Sequence, residues 1–165
     1  MEHHIVGFDN EQARALRGEI LASQIAEGIF TEDEAEAMQQ PGATTTSWLS
    51  ANSKRPGHTL ILVDGGVVTA AADLFGGDVR GECVLENFAV RRASQGQGHS
   101  RELWRLVRED ARVNEMDTIM IFALIADQHA VGYWRHVLDR APTENGSMMC
   151  GGSNFEAVGW RYKVK

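Results

Sequence analysis

The chain has 165 residues, 43% of them hydrophobic and 24% charged, with a formal net charge of -7. That length suits a single domain, over residues 1–165, able to bury a core without staples. The acidic balance argues against nucleic acid as a main partner, because phosphate neutralisation by Lys and Arg supplies most of that affinity, and no apolar run of about 18 residues exists to span a membrane.

The start, Met1–Ile5, lacks the basic stretch and apolar run of a signal peptide, and His3-His4 reads as surface. Residues 10–29 place Ala13, Leu16, Ile20, Ile25 and Ile29 near helical spacing, with Asn10 or Asp9 as cap and Gly28 as the end or a kink. Thr31-Glu32-Asp33-Glu34 has the form of a capping box, which predicts a short acidic helix to about Met38. Pro41-Gly42 should break it, ahead of a polar stretch to Ser53.

Strands follow. His58–Val63 and Val67–Leu74 flank the turn signal Asp64-Gly65-Gly66, which predicts a hairpin. Gly76-Gly77-Asp78 marks another turn, and Cys83–Val90 a third strand. Residues 98–115 read as a helix with Leu103, Leu106 and Val107 on its apolar face. A strand at Thr118–Leu124, a helix at Gln128–Leu138, a loop at Ala141–Ser147 and a strand at Phe155–Val164 complete the chain. Hairpins followed by a strand–helix–strand unit imply a mixed α/β fold, a mostly antiparallel sheet with flanking helices. The two cysteines, Cys83 and Cys150, lack the spacing of a zinc site or disulfide framework; no metal is expected, and a reducing cytoplasm is the natural setting.

One junction carries chemistry. In Val90-Arg91-Arg92-Ala93-Ser94-Gln95-Gly96-Gln97-Gly98-His99-Ser100-Arg101 an apolar strand feeds a glycine-bearing turn that opens a helix. Free amides at a helix start meet the positive end of its dipole, and glycine lets backbone approach an anion closely. A tight strand-to-helix turn would look the same. A dinucleotide fingerprint lacks its downstream acidic residue here, and a P-loop lacks its Gly-Lys-Ser/Thr.

Leu85–Leu103 resembles the acyl-CoA-binding segment of the GNAT superfamily of N-acyltransferases. That signature is Gln or Arg, two residues, Gly, one residue, then Gly or Ala, and Gln95, Gly98 and Ser100 occupy those places, Ser100 departing from the last. The strand Asn87-Phe88-Ala89-Val90 and the spacing from Val90 to Gln95 are also similar. The resemblance implies a GNAT-like central sheet with a splayed parallel strand pair. It implies acetyl-CoA as co-substrate, its pantetheine arm along Phe88, Ala89 and Val90 and its pyrophosphate on Gln95, Gly96, Gln97, Gly98, His99 and Ser100. Arg91, Arg92 or Arg101 would meet the adenosine phosphates.

The implied reaction is direct attack by a primary amine, without a covalent enzyme intermediate. A carboxylate would take the amine's proton, and Glu82 and Glu86, four residues apart on one strand face, are the candidates. The family's frequent general acid is a Tyr in Asn-x-x-Ala-x-x-x-Tyr. Asp127–Trp134 aligns with that segment, but Trp134 holds the Tyr place, and Tyr133 lies about 100° around the helix. The Gly-Phe that closes this helix in the family is replaced by Leu138-Asp139-Arg140. The acceptor is expected to be an amine on a small molecule or protein, and the enzyme a monomer or homodimer. Two other readings remain: a CoA-binding module without catalysis, and an acyltransferase for a nucleic-acid-linked amine.

Overall fold

The computed structural model describes residues 1–38, 44–46, 57–77, 79–150 and 152–164. The expected break at Pro41-Gly42, residues 47–53 of the polar stretch, and Asp78 of the second turn lie outside them. The fold class is the expected one: mixed α/β, a mostly antiparallel sheet with one parallel strand pair and flanking helices. By their contacts the residues group into two compact units. One comprises Met1–Ile20, Arg55–Ile119 and Lys163–Lys165, the other Leu21–Lys54 and Met120–Tyr162.

In the first unit the strands β1 (Glu2–Val6), β3 (Gly57–Asp64), β4 (Val67–Gly76) and β5 (Glu82–Val90) lie in the order β1-β3-β4-β5, every neighbour antiparallel. The expected hairpin is β3–β4. Its Gly65 and Gly66 both take positive φ, 57° and 79°, the backbone of a primed two-residue turn that matches strand twist. Along β4, residues 68–74 are buried without alternation, as in a strand covered on both faces. Helix α1 (Glu11–Ala26) opens on Asn10, whose Oδ1 accepts from the Ala13 amide at 3.0 Å. It seats Ala13 and Leu16 against Ile61, Val68 and Ala71. Full burial of Leu16 is worth about 1.5–3 kcal/mol. Helix α3 (His99–Val113) packs on β3, β4 and β5 through Leu103, Leu106 and Val107, as expected, together with Trp104 and Ala111.

The strands that lie wholly or mostly in the second unit run in the order β6 (Thr118–Leu124), β8 (Ser153–Lys163), β7 (Glu144–Cys150), β2 (Thr44–Thr46). Helix α1 ends where Gly28 turns to φ 74°. The Ile29 amide donates to the Gln24 carbonyl and the Gly28 amide to Ile25, the paired bonds of a Schellman end. The expected helix over 10–29 is therefore shorter, Glu11–Ala26. Helix α2 (Glu32–Met38) has its capping box as read. Glu34 N–H donates to Thr31 Oγ1 at 3.2 Å, and Thr31 N–H to the Glu34 carboxylate at 2.9 Å. Helix α4 (Gln128–Leu138) is capped by Asp127, which accepts from the Ala130 amide at 2.9 Å. Phe30, Leu124, Cys150 and Ala157 form one core cluster of this unit, edged by Leu21, Ile25 and Phe155.

Three strands depart from expectation. The segment read as a loop over Ala141–Ser147 becomes strand from Glu144, pairing with β8 in register from Glu144↔Gly159 to Cys150↔Ser153. Its Asn, Gly and Ser carry turn chemistry, and the long-range pairing overrides it. Glu2–Val6, where no strand was expected, is an edge strand on β3, with His3 and His4 exposed as read. Thr44–Thr46, inside the polar stretch, pairs with β7.

Candidate acyl-CoA site

Every residue of the glycine-bearing junction lies in the first unit. Strand β5 hands over to a single 3-10 turn at Arg92–Ser94, and α3 begins at His99. The turn closes on its own backbone, Ser94 N–H to Arg91 O at 2.8 Å and Gln95 N–H to Arg92 O at 3.3 Å. The side chains of Gln95 and Gln97 reach back to the carbonyls of Val90 (3.4 Å) and Ala93 (3.0 Å). Both amides thus brace the loop from behind.

The start of α3 differs from the other three helix starts. Asn10, Thr31 and Asp127 each place a side-chain oxygen on a first-turn amide. At α3 the cap is Gly98 in the left-handed region (φ 87°, ψ -1°), which has no side chain to cap the amides. The helical ladder begins with Glu102 N–H on Gly98 O, so the amides before it have no intrahelical acceptor. Gly96 also has positive φ, 75°. A Cβ at either glycine would meet nothing within 4 Å. Conformation alone demands glycine there, and the space beside the backbone is open. An anion with several oxygens fits such a start, which offers N–H donors and a positive dipole end.

Exposure sorts the remaining candidates. His99 is 3% exposed, its Nε2 4.0 Å from the Asp64 carboxylate, so its ring is not available to a ligand in solvent. Ser100 is half-buried, and Arg92 and Arg101 are exposed. The Arg91 guanidinium is committed to the Glu19 carboxylate and the Val68 carbonyl. Arg92 and Arg101 are the cations left facing solvent near the loop.

Upstream, β5 is not a regular strand. Its register against β4 passes from Asp73↔Glu86 to Ala71↔Ala89, so β5 holds one residue more than its partner. Asn87 absorbs the excess at φ 49°. This is a β-bulge, a device that re-aims a strand, and it lies between Glu86 and the Phe88–Val90 segment. Nothing in the sequence marks it except Asn, a residue that tolerates left-handed backbone. Glu82 and Glu86 are both half-buried on β5, ahead of the bulge. Ala89 is buried, and Phe88 and Val90 half-buried.

In the second unit Trp134 is buried and Tyr133 half-buried, their rings edge to face at 5.0 Å. Trp134 thus serves the core from the place where the family often has its Tyr. The missing Gly-Phe is also accommodated, since Asp139 takes the left-handed end position at φ 51°. Asp127, in the motif's Asn place, does the local work of a cap. Cys83 is buried, and desolvation, with the nearby Asp110 charge, pushes its thiol up to about 12. It stays protonated at neutral pH and is no nucleophile. No helix among the described residues is long and apolar enough to cross a membrane.

The acetyltransferase (GNAT) family profile matches residues 23–138, well over half of the chain. The chain belongs to the GNAT acetyltransferase family. No curated protein sequence matches it significantly. Among solved structures, a protein from Desulfovibrio desulfuricans assigned to the GNAT family is similar at 14% identity and TM-score 0.65, covering 99% of this chain and 100% of that one. A Staphylococcus epidermidis protein assigned as an acetyltransferase is similar at 12% identity and TM-score 0.66, with 99% of each chain covered. An aminoglycoside 6'-N-acetyltransferase complexed with coenzyme A is similar at 9% identity and TM-score 0.61, covering 100% of this chain and 98% of that one. At these identities the likeness is one of fold.

Proposed function

We propose that this GNAT protein transfers an acetyl group from acetyl-CoA to a primary amine by direct attack, with a carboxylate of β5 as general base. The uncapped start of α3 carries the reading. Its cap, Gly98, has no side chain to place on the first-turn amides, and it falls where the family's pyrophosphate-binding signature stands in the sequence. Amides of the Gly96–Ser100 segment hold the pyrophosphate while the Gln95 amide closes the turn on Arg92, and Arg92 and Arg101 lie near enough in sequence to meet the adenosine phosphates. Phe88, Ala89 and Val90 line the pantetheine arm.

The amine must lose a proton to attack, and Glu86 is the first candidate to accept it, directly or through water, with Glu82 the second. A backbone N–H near the bulge stabilises the oxyanion that forms at the thioester carbonyl. Nitrogen bonds to the acyl carbon, the carbon–sulfur bond breaks, and coenzyme A leaves as a thiolate that takes up a proton. Tyr133 is the nominated proton donor. The buried, protonated Cys83 agrees with a route that uses no enzyme thioester.

The test is release of free thiol from acetyl-CoA over a panel of small amines and amino-terminal peptides. Turnover with at least one amine is expected, and Glu86→Gln should lower kcat by about 10²–10⁴-fold, the usual contribution of a positioned base. Tight CoA binding with no turnover over a broad panel would instead favour a CoA-binding module without catalysis.

A further inference from the structure

Strand β4 carries one carboxylate, Asp73, inside a run of apolar residues, and it is 2% exposed. Every contact it makes is specific. Oδ1 accepts from the Thr59 hydroxyl at 2.6 Å and from the Arg17 guanidinium, while Oδ2 accepts from the Asn87 side-chain amide at 2.8 Å. Arg17 is fixed in turn, donating to Thr59 Oγ1 at 3.0 Å and to the Phe8 carbonyl at 3.2 Å. Helix α1, strand β3 and strand β4 therefore converge on one carboxylate, and its remaining oxygen is aimed at β5.

A buried ion pair is poor evidence of a stability device, because desolvating two charges offsets most of their attraction. An apolar pair of similar volume would serve the core as well. What an apolar pair could not do is hold Asn87. That residue forms the bulge at φ 49°, a backbone state that Asn tolerates better than most residues but that still costs free energy unless its surroundings favour it. The extra residue also moves the side-chain alternation by one place. It thereby sets how the face of Glu82 and Glu86 relates to the Phe88–Val90 segment.

We propose that Asp73, clamped by Arg17 and Thr59, is a positioning residue for the acyl donor: through Asn87 it fixes the bulge that presents Phe88–Val90 to the thioester arm. The inference rests on the acyl-CoA reading of that segment. Asp73 acts through Asn87 and touches neither reactant.

The test measures acetyl-CoA dissociation constants by calorimetry, with KM for acetyl-CoA and kcat alongside. Asn87 is exposed, so substitutions there should fold, which circular dichroism checks. Asn87→Ala removes the amide donor, and Asn87→Asp sets a second carboxylate against Asp73. Each should weaken acetyl-CoA about ten-fold, the usual effect of losing a hydrogen bond to a charged group, and leave KM for the amine unchanged. Asn87→Asp combined with Asp73→Asn restores a donor facing an acceptor and should return affinity to within about three-fold of the wild type. A merely structural role would lower the melting temperature and leave the dissociation constant alone. Failure of the wild type to bind acetyl-CoA overturns the acyl-CoA reading itself. Wild-type binding with Asn87→Ala and Asn87→Asp unchanged overturns the positioning role, as does an affinity loss in Asn87→Asp that the double variant does not recover. If Asp73→Asn prevents folding, the two Asn87 variants decide alone.

Discussion

Gly98 sits at φ 87° with open space beside its α-carbon. Those two facts separate the cost of replacing it from the consequence. Gly98→Ala creates no clash and pays only for left-handed backbone, about 1 kcal/mol, so its melting temperature should fall by a few degrees. The new methyl would project into the space where phosphate oxygens approach the amides, and CoA affinity should fall by well over the ten-fold that corresponds to about 1.4 kcal/mol. Calorimetry beside thermal melts checks this, and equal affinity in the folded variant would remove the loop from the binding site. At the same scale Asp73 was within reach of the sequence. A carboxylate inside Val67–Phe75 must either break the strand or find buried partners. Its partners, Arg17 and Asn87, are 56 and 14 residues away, and no local pattern names them.

Elements were legible where their signals are local. The capping box at Thr31, the hairpin at Asp64-Gly65-Gly66, and the strand and helix at Thr118–Leu124 and Gln128–Leu138 each rest on neighbours a few residues apart. Strands β1, β2 and β7 were not, because they are polar, short or rich in turn residues, and pairing partners far along the chain define them. The bulge in β5 is hidden for the same reason, being a mismatch of two strands that neither shows alone. The capping box carries a prediction of its own. The Thr31 amide, then the Ser153 side chain, hold the Glu34 carboxyl below the usual carboxylate range. A folded-state pKa below the unfolded value contributes stability that is present above the unfolded pKa and is lost as pH falls through the folded one. Glu34→Ala should therefore lower the melting temperature at pH 7, and the gap to the wild type should shrink as pH drops below about 4. A gap independent of pH would mean that the charge of Glu34 takes no part in the cap.

At the scale of the whole molecule, all the candidate acyl-CoA residues and both candidate carboxylates belong to one of the two compact units, and Tyr133 to the other. The first unit should therefore dominate donor binding, while acceptor choice involves features the donor signature does not reach. The net charge of -7 makes the local donors at the start of α3 more telling, since a polyanion is not drawn to this protein by its overall field. The claim that those amides hold the pyrophosphate is tested most directly by titrating the protein with CoA and, separately, with pantetheine, which lacks the nucleotide and pyrophosphate. The account predicts saturable binding of CoA and binding of pantetheine weaker by at least about a hundred-fold, the worth of two charge-assisted hydrogen bonds. Equal affinity for the two, or no binding of CoA, would contradict it.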